Sequence, residues 1–110
     1  MGNRLTAIVT RTGDKGSTGM ADGSRRSKSD PRVHCLGEID ELNAMIGVAL
    51  SHIDEEPTLN ILFSIQHDLF DIGAELCQPG KVLIDSSYVD ALENAAETFN
   101  RPLPPLKEFI

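Results

Sequence analysis

The sequence predicts an all-α protein, a helix bundle preceded by a basic, glycine-rich segment, and three observations carry that expectation. Apolar residues recur three and four apart through most of residues 33–100, the spacing of one helical face. Proline, glycine and acidic clusters at Asp30-Pro31, Asp54–Pro57, Pro79-Gly80 and Pro102 cut this pattern into three helix-length pieces. No two apolar runs alternate as a strand pair would.

The first helix is expected to open at Asp30-Pro31 and to run to about His52, with Leu36, Ile39, Leu42, Ile46, Ala49, Leu50 and Ile53 as its stripe. An acid followed by proline suits a helix start, because proline lacks the N–H that the first turn leaves unused. The second spans roughly Thr58 to Cys77. Leu59, Leu62, Phe63, Leu69, Phe70, Gly73, Leu76 and Cys77 form one face, and Ile61, Ile65 and Ile72 lie well round from its centre. A surface that wide belongs to a helix with two or more neighbours. A third helix is expected from Asp85 or Ser86, as cap, to a point before Pro102, burying Tyr88, Val89, Leu92, Ala95, Ala96 and Phe99. Pro102-Leu103-Pro104-Pro105-Leu106 must then be extended.

At 110 residues the chain is one domain, with 40% hydrophobic residues to form a core. No apolar run approaches the roughly 18 residues of a membrane span, and nothing resembles a leader peptide. Cys35 and Cys77 lack Cys-x-x-Cys spacing, so both read as small buried hydrophobes in a reducing cytoplasm, with no zinc site or disulfide framework. His34, His52 and His67 are scattered at spacings that suit no metal site.

Residues Thr10–Gly19 read Thr-Arg-Thr-Gly-Asp-Lys-Gly-Ser-Thr-Gly. Glycines let amide N–H groups turn inward as an anion nest, and hydroxyls and cations add donors and charge. That chemistry suits a nucleotide polyphosphate, although the spacing matches neither a Walker A loop nor a dinucleotide turn. A flexible polar loop fits the same composition. Charge distribution bears on the choice. Residues 1–32 hold seven cations and three acids, whereas residues 33–110 hold three cations and fourteen acids, for a net charge of −7. A basic segment on an acidic chain points to a local anion site, the alternative being a solvated basic arm. Nucleic acid is disfavoured, because phosphate backbones reward net positive surfaces.

In the first helix Asp40, Asn43 and Gly47 share a face with Gly37 before them. Two helix-interior glycines suggest close approach of something bulky, with Asp40 and Asn43 serving a ligand or a buried cation; a helix–helix contact with a partly exposed acid fits equally. Glu38, Glu41, Asp68, Asp71 and Glu75 read as solvated faces.

Four motifs in order, Thr10–Thr18, Lys28–Val33, Gly37–Asn43 and Leu103–Ile110, together with Gln66 and Phe70–Ala74, resemble PduO-type ATP:corrinoid (cobalamin) adenosyltransferases over the whole chain. The resemblance implies a ferritin-like, cobalamin adenosyltransferase-like up-and-down bundle of five helices, assembled as a homotrimer with active sites between subunits. It implies an enzyme that moves the 5′-deoxyadenosyl group of ATP, supplied with Mg2+, to the cobalt of cob(I)alamin, releasing triphosphate. By the same resemblance residues 1–32 are the ATP-binding segment. Thr10, Arg11, Thr12, Gly13, Thr18, Gly19 and Lys28 fall on ATP-contacting positions, with Lys15 as helper. Asp40 falls on an acid that pairs with an arginine of a later helix near the corrinoid, and Phe109 on an aromatic that packs beneath the corrin and displaces its lower ligand. Family members continue past the Phe-Ile pair into two further helices, one bearing an arginine-rich segment. The chain is therefore expected to be a fragment, with the helical portion 33–110 incomplete. Two other functions remain open to the residues: a corrinoid or nucleotide carrier without turnover, and a helical assembly module whose basic arm docks on an acidic partner.

Overall fold

The computed structural model describes residues 6–109. Arg4, counted in the basic segment, and Ile110, the last residue of the fourth motif, lie outside the described residues. Two short strands, β1 (Ser17–Gly19) and β2 (Arg25–Ser27), precede three helices, α1 (Pro31–Leu50), α2 (Glu56–Cys77) and α3 (Ser86–Asn100).

The hairpin corrects the expectation that no strands would form. Ser17 pairs with Ser27, Thr18 with Arg26 and Gly19 with Arg25 in antiparallel register. Its turn closes through Met20 N–H to the Ser24 carbonyl (2.7 Å) and Gly23 N–H to the Met20 carbonyl (3.1 Å). Gly23 takes φ 86°, a left-handed position that glycine adopts without a side-chain clash. Asp22 caps the turn, accepting from the backbone N–H (2.9 Å) and hydroxyl (2.6 Å) of Ser24. The Ser24 hydroxyl and then its amide hold the Asp22 carboxyl below the usual carboxylate range. Asp22-Gly23 is a hairpin signal, but three-residue polar strands show no alternation to read.

The helices form where their local signals stand. Asp30 is the N-cap of α1, its Oδ1 accepting from Arg32 N–H at 2.8 Å, with Pro31 in the first turn. α1 ends at Leu50, two residues short of the expected His52, with Ser51 as its C-cap. α2 starts at Glu56, two residues before Thr58, because Pro57 fits inside a first turn. Asp85 caps α3 through Ser87, and the Ser87 hydroxyl and amide lower the Asp85 pKa.

A five-residue connection folds α2 back along α1, and this is the extensive helix–helix contact among the described residues. Arg32 at the start of α1 donates to the Leu76 carbonyl near the end of α2 (3.2 Å), and Gln66 Nε2 donates to the Asn43 carbonyl midway (3.1 Å). The hairpin is pinned to the same end, Ala21 N–H donating to the Cys77 carbonyl at 2.9 Å. Met20 and Leu69, 7% and 6% exposed, are the buried apolar side chains there.

α3 departs most from expectation. Tyr88 and Ala95 are half-buried, but Val89, Leu92, Ala96 and Phe99 are exposed. The Tyr88 hydroxyl donates to Asp71 (2.8 Å), a bond that raises the tyrosine pKa, so Asp71 is not the solvated acid expected. Glu75 also leaves that class: its Oε2 accepts the N–H groups of Leu83 (3.2 Å) and Ile84 (2.9 Å), holding the α2–α3 connection. Cys35 is exposed and Cys77 half-buried, which corrects their reading as buried hydrophobes. The surface of 8978 Å2 compares with about 6,000 Å2 for a compact chain of 12.0 kDa. Helix formation here runs ahead of burial.

Candidate functional site

The glycine-rich segment folds as two overlapping turns that lead into β1. Asp14 N–H donates to the Arg11 carbonyl (3.3 Å) and Gly16 N–H to the Gly13 carbonyl (3.1 Å). Gly16 takes φ 91°, and Arg11, at φ 59°, is the non-glycine residue in the left-handed region among those described. For a non-glycine residue such a position stores strain, typically about 1–3 kcal/mol, and residues of this kind cluster where a ligand is gripped. The hydroxyls of Thr10 and Thr12 share a hydrogen bond of 3.0 Å. The N–H groups of Thr12, Gly13 and Lys15 have no acceptor among the described residues.

Lys28 closes the turn from β2. Its N–H donates to the Gly16 carbonyl at 2.9 Å. Its side chain lies across Gly13, with Nζ 2.9 Å and Cε 3.0 Å from the place a Cβ there would take. The Ser17 carbonyl stands 3.1 Å from the same point. Gly13 thus lets an ammonium group lie directly on the loop backbone. Arg25, not singled out in the sequence, reaches the other side of the loop: Nη2 donates to the carbonyls of Thr12 (2.9 Å) and Ser17 (3.1 Å). Both Nη2 (3.0 Å) and Nε (3.1 Å) reach the Ser17 hydroxyl. Lys15 is exposed, and its ammonium has no partner among the described residues.

The loop is bolted to α1 through Asp30. Arg26 Nη1 lies 3.2 Å from Asp30 Oδ2, while Asp30 Oδ1 caps the helix. The Arg32 amide and then the Arg26 guanidinium hold the Asp30 carboxyl below its ordinary range.

Beside the loop opens a cleft of about 450 Å3 between the hairpin and the facing sides of α1 and α2. Thr18, Gly19, Asp40, Asn43, Phe70 and Gly73 are among its lining residues. The structure thus brings Thr18, Gly19 and Asp40 together, as the separate motifs could not show. Phe70 is 73% exposed, leaving an aromatic face open to that space. Asp40 itself is exposed and takes part in no ion pair among the described residues. Gly37 has open space at its Cβ position, and Gly47 faces Gln66 Nε2 at an ordinary 3.5 Å, so neither glycine is crowded.

Phe109 is not brought to this cleft. Its ring is fully exposed and lines a separate shallow groove with Leu106, Lys107 and Glu108. A hollow of about 510 Å3 at the α2–α3 connection, lined by Arg32, Glu75 and Lys81, contains none of the predicted site residues. Among the described residues no three His, Cys, Asp or Glu side chains group closely enough to hold a metal ion.

Residues 8–110 match the family model described as cobalamin adenosyltransferase. The chain is 48% identical, over 111 residues, to a cobalamin adenosyltransferase of Cupriavidus metallidurans, covering 100% of this chain and 60% of that protein. It is 37% identical to a corrinoid adenosyltransferase of Bacillus subtilis, covering 94% of this chain and 56% of that one. The chain spans about 60% of the length of the first of these relatives. Among solved structures it superposes, with a TM-score of 0.86 and 32% identity, on a variant PduO-type ATP:corrinoid adenosyltransferase from Lactobacillus reuteri complexed with cobalamin and ATP. That match covers 94% of this chain and 60% of the other.

Proposed function

Because the chain belongs to the cobalamin adenosyltransferase family, we propose that it transfers the 5′-deoxyadenosyl group of ATP to the cobalt of cob(I)alamin. In that step a cobalt–carbon bond forms at C5′, the C5′–oxygen bond breaks, and its electron pair leaves on the triphosphate. Reduced cobalt is itself a strong nucleophile, so the protein's work is to orient two substrates and to stabilise the leaving anion. The observation that carries this reading is Lys28 lying over Gly13, next to N–H groups without acceptors.

In this reading Thr10, Arg11, Thr12, Gly13, Thr18, Gly19 and Lys28 hold ATP, and Lys15 reaches the phosphates from its exposed position. Mg2+ would arrive with ATP and would be held chiefly by phosphate and water oxygens. The cleft beside Thr18 and Gly19 receives the adenosyl end and the corrinoid edge, where Asp40 and Asn43 supply the polar contacts. Phe109, exposed on a proline-stiffened tether, covers the lower face of the corrin and keeps a lower ligand away, which makes Co(II) easier to reduce. Residues 1–110 act as one domain, since Ala21 and Arg32 tie the basic segment and α1 to the end of α2. The exposed apolar faces of α2 and α3 support assembly as a homotrimer with sites between subunits. Two unpaired cysteines suit a cytoplasmic location, and no helix among the described residues is long and apolar enough to cross a membrane.

The test is anaerobic mixing of the chain with ATP and reduced cobalamin. Transfer gives the light-sensitive spectrum of adenosylcobalamin together with free triphosphate. A spectrum that changes on binding without photolabile product would make the chain a carrier, and an unchanged spectrum would remove the corrinoid altogether.

A further inference from the structure

The Arg25 guanidinium spans the neck of the glycine-rich loop. Its donors reach the carbonyl of Thr12 at one end and the carbonyl and hydroxyl of Ser17 at the other, at 2.9–3.1 Å. We infer that Arg25 is a positioning residue that sets the loop in its anion-receiving shape before nucleotide arrives, an inference that rests on reading Thr10–Gly19 as the triphosphate site.

Three features support it. The first is the direction of the peptide planes. A trans peptide points its C=O and N–H to opposite sides, so drawing the Thr12 carbonyl toward Arg25 turns the Gly13 N–H away from it. That N–H has no acceptor among the described residues, and Gly13 is the residue over which Lys28 lies. Arg25 therefore satisfies the oxygens of the loop, which would repel an anion, and leaves the donors free.

The second is fork geometry. Nη2 carries two hydrogens and faces three acceptors, and Nε adds a further bond to the Ser17 hydroxyl. A planar guanidinium can bridge two chain segments in this way, whereas an ammonium is a single point charge on a flexible stem. The third is access. Arg25 pairs across the hairpin with Gly19, where a side chain would bring a Cβ to 3.7 Å from Arg25 Nη1. That is an ordinary van der Waals spacing, so the pairing residue does not obstruct the guanidinium's path along the sheet face to the loop.

Preorganisation matters here because the loop is short, polar and exposed. A loop that must be ordered on binding loses affinity for the ligand. Arg25 makes no bond to the helices among the described residues, so replacing it should leave α1 and α2 as they are.

The experiment compares Arg25→Ala and Arg25→Lys with the unsubstituted full chain. Calorimetry with inorganic triphosphate and with ATP gives affinity, and the amide resonances of Gly13 and Gly16 in nucleotide-free protein report loop order. Both variants are expected to bind each anion roughly ten-fold more weakly, with helix content unchanged and both glycine amides shifted or broadened before any ligand is added. Full rescue of affinity by lysine would show that charge alone suffices and would overturn the inference. So would unperturbed glycine amides in nucleotide-free Arg25→Ala, which would make Arg25 a direct phosphate ligand or an irrelevance. An unsubstituted chain that binds no triphosphate overturns the reading of the loop itself. That failure is distinct, since the glycine amides report on Arg25 without any ligand.

Discussion

Lys28 lies directly over Gly13, its Nζ 2.9 Å from the point a β-carbon on that glycine would occupy. The Ser17 carbonyl oxygen, 3.1 Å from the same point, closes the other side. Any side chain at position 13 must therefore displace the ammonium or press on backbone. Gly13→Ala is expected to weaken ATP binding about ten-fold, the cost of moving one charged donor. It should change the melting midpoint little, because Gly13 is not among the residues held at positive φ. Calorimetry showing native affinity would mean that the Lys28–Gly13 contact is dispensable.

Removing the charge itself tests the partner. Charge-assisted hydrogen bonds to phosphate are worth about 1.5–3 kcal/mol. Lys28→Ala should weaken ATP binding by roughly ten-fold or more, and the loss should shrink as salt is raised, since the site is exposed. An affinity equal to that of the unsubstituted chain takes Lys28 out of the site.

Asp40 and Phe109 separate the two substrates. By resemblance Asp40 pairs with an arginine of a later helix near the corrinoid; among the described residues its side chain is exposed. Asp40→Asn is accordingly expected to change stability by no more than about 0.5 kcal/mol, while impairing cobalamin handling more than ATP binding. Phe109→Ala should leave ATP affinity intact and reduce the four-coordinate Co(II) signal in electron paramagnetic resonance. A full four-coordinate signal in that variant removes the aromatic from the corrinoid face.

The Asp30 cap gives a pH dependence with a definite sign. The Arg32 amide and the Arg26 guanidinium favour the charged carboxylate, so the folded pKa lies below the unfolded one. Stability from this group is thus present above the ordinary aspartate value of about 4 and is lost as pH falls through the lower, folded value. Asp30→Asn should melt below the unsubstituted chain at neutral pH, and the gap should narrow steadily below about pH 4. A gap that stays constant to the acid limit would show that the carboxylate's charge contributes nothing to holding the loop on α1.

Much of the helical framework was legible because its causes are local. Asp30-Pro31, Pro57 and Asp85 lie within a turn of the ends they set, and capping acts through hydrogen bonds two residues long. The loop chemistry was also legible, since glycines, hydroxyls and cations crowd one ten-residue stretch. The hairpin was not: its strands are three residues each, and Asp22-Gly23 alone announces it.

What the sequence by itself determined is therefore the set of helices, their ends, and the family to which the motifs point. What only the tertiary structure decided is who meets whom. Arg25 finds Thr12 thirteen residues away, and Arg32 finds Leu76 forty-four residues away. Glu75 and Asp71, which have the periodicity of solvated acids, instead take donors from the α2–α3 connection and from Tyr88. Apolar spacing on α3 correctly marks one face, yet Val89, Leu92 and Phe99 are exposed. Periodicity records which side of a helix is apolar, whereas burial depends on a second surface arriving to cover it, and no local pattern contains that surface.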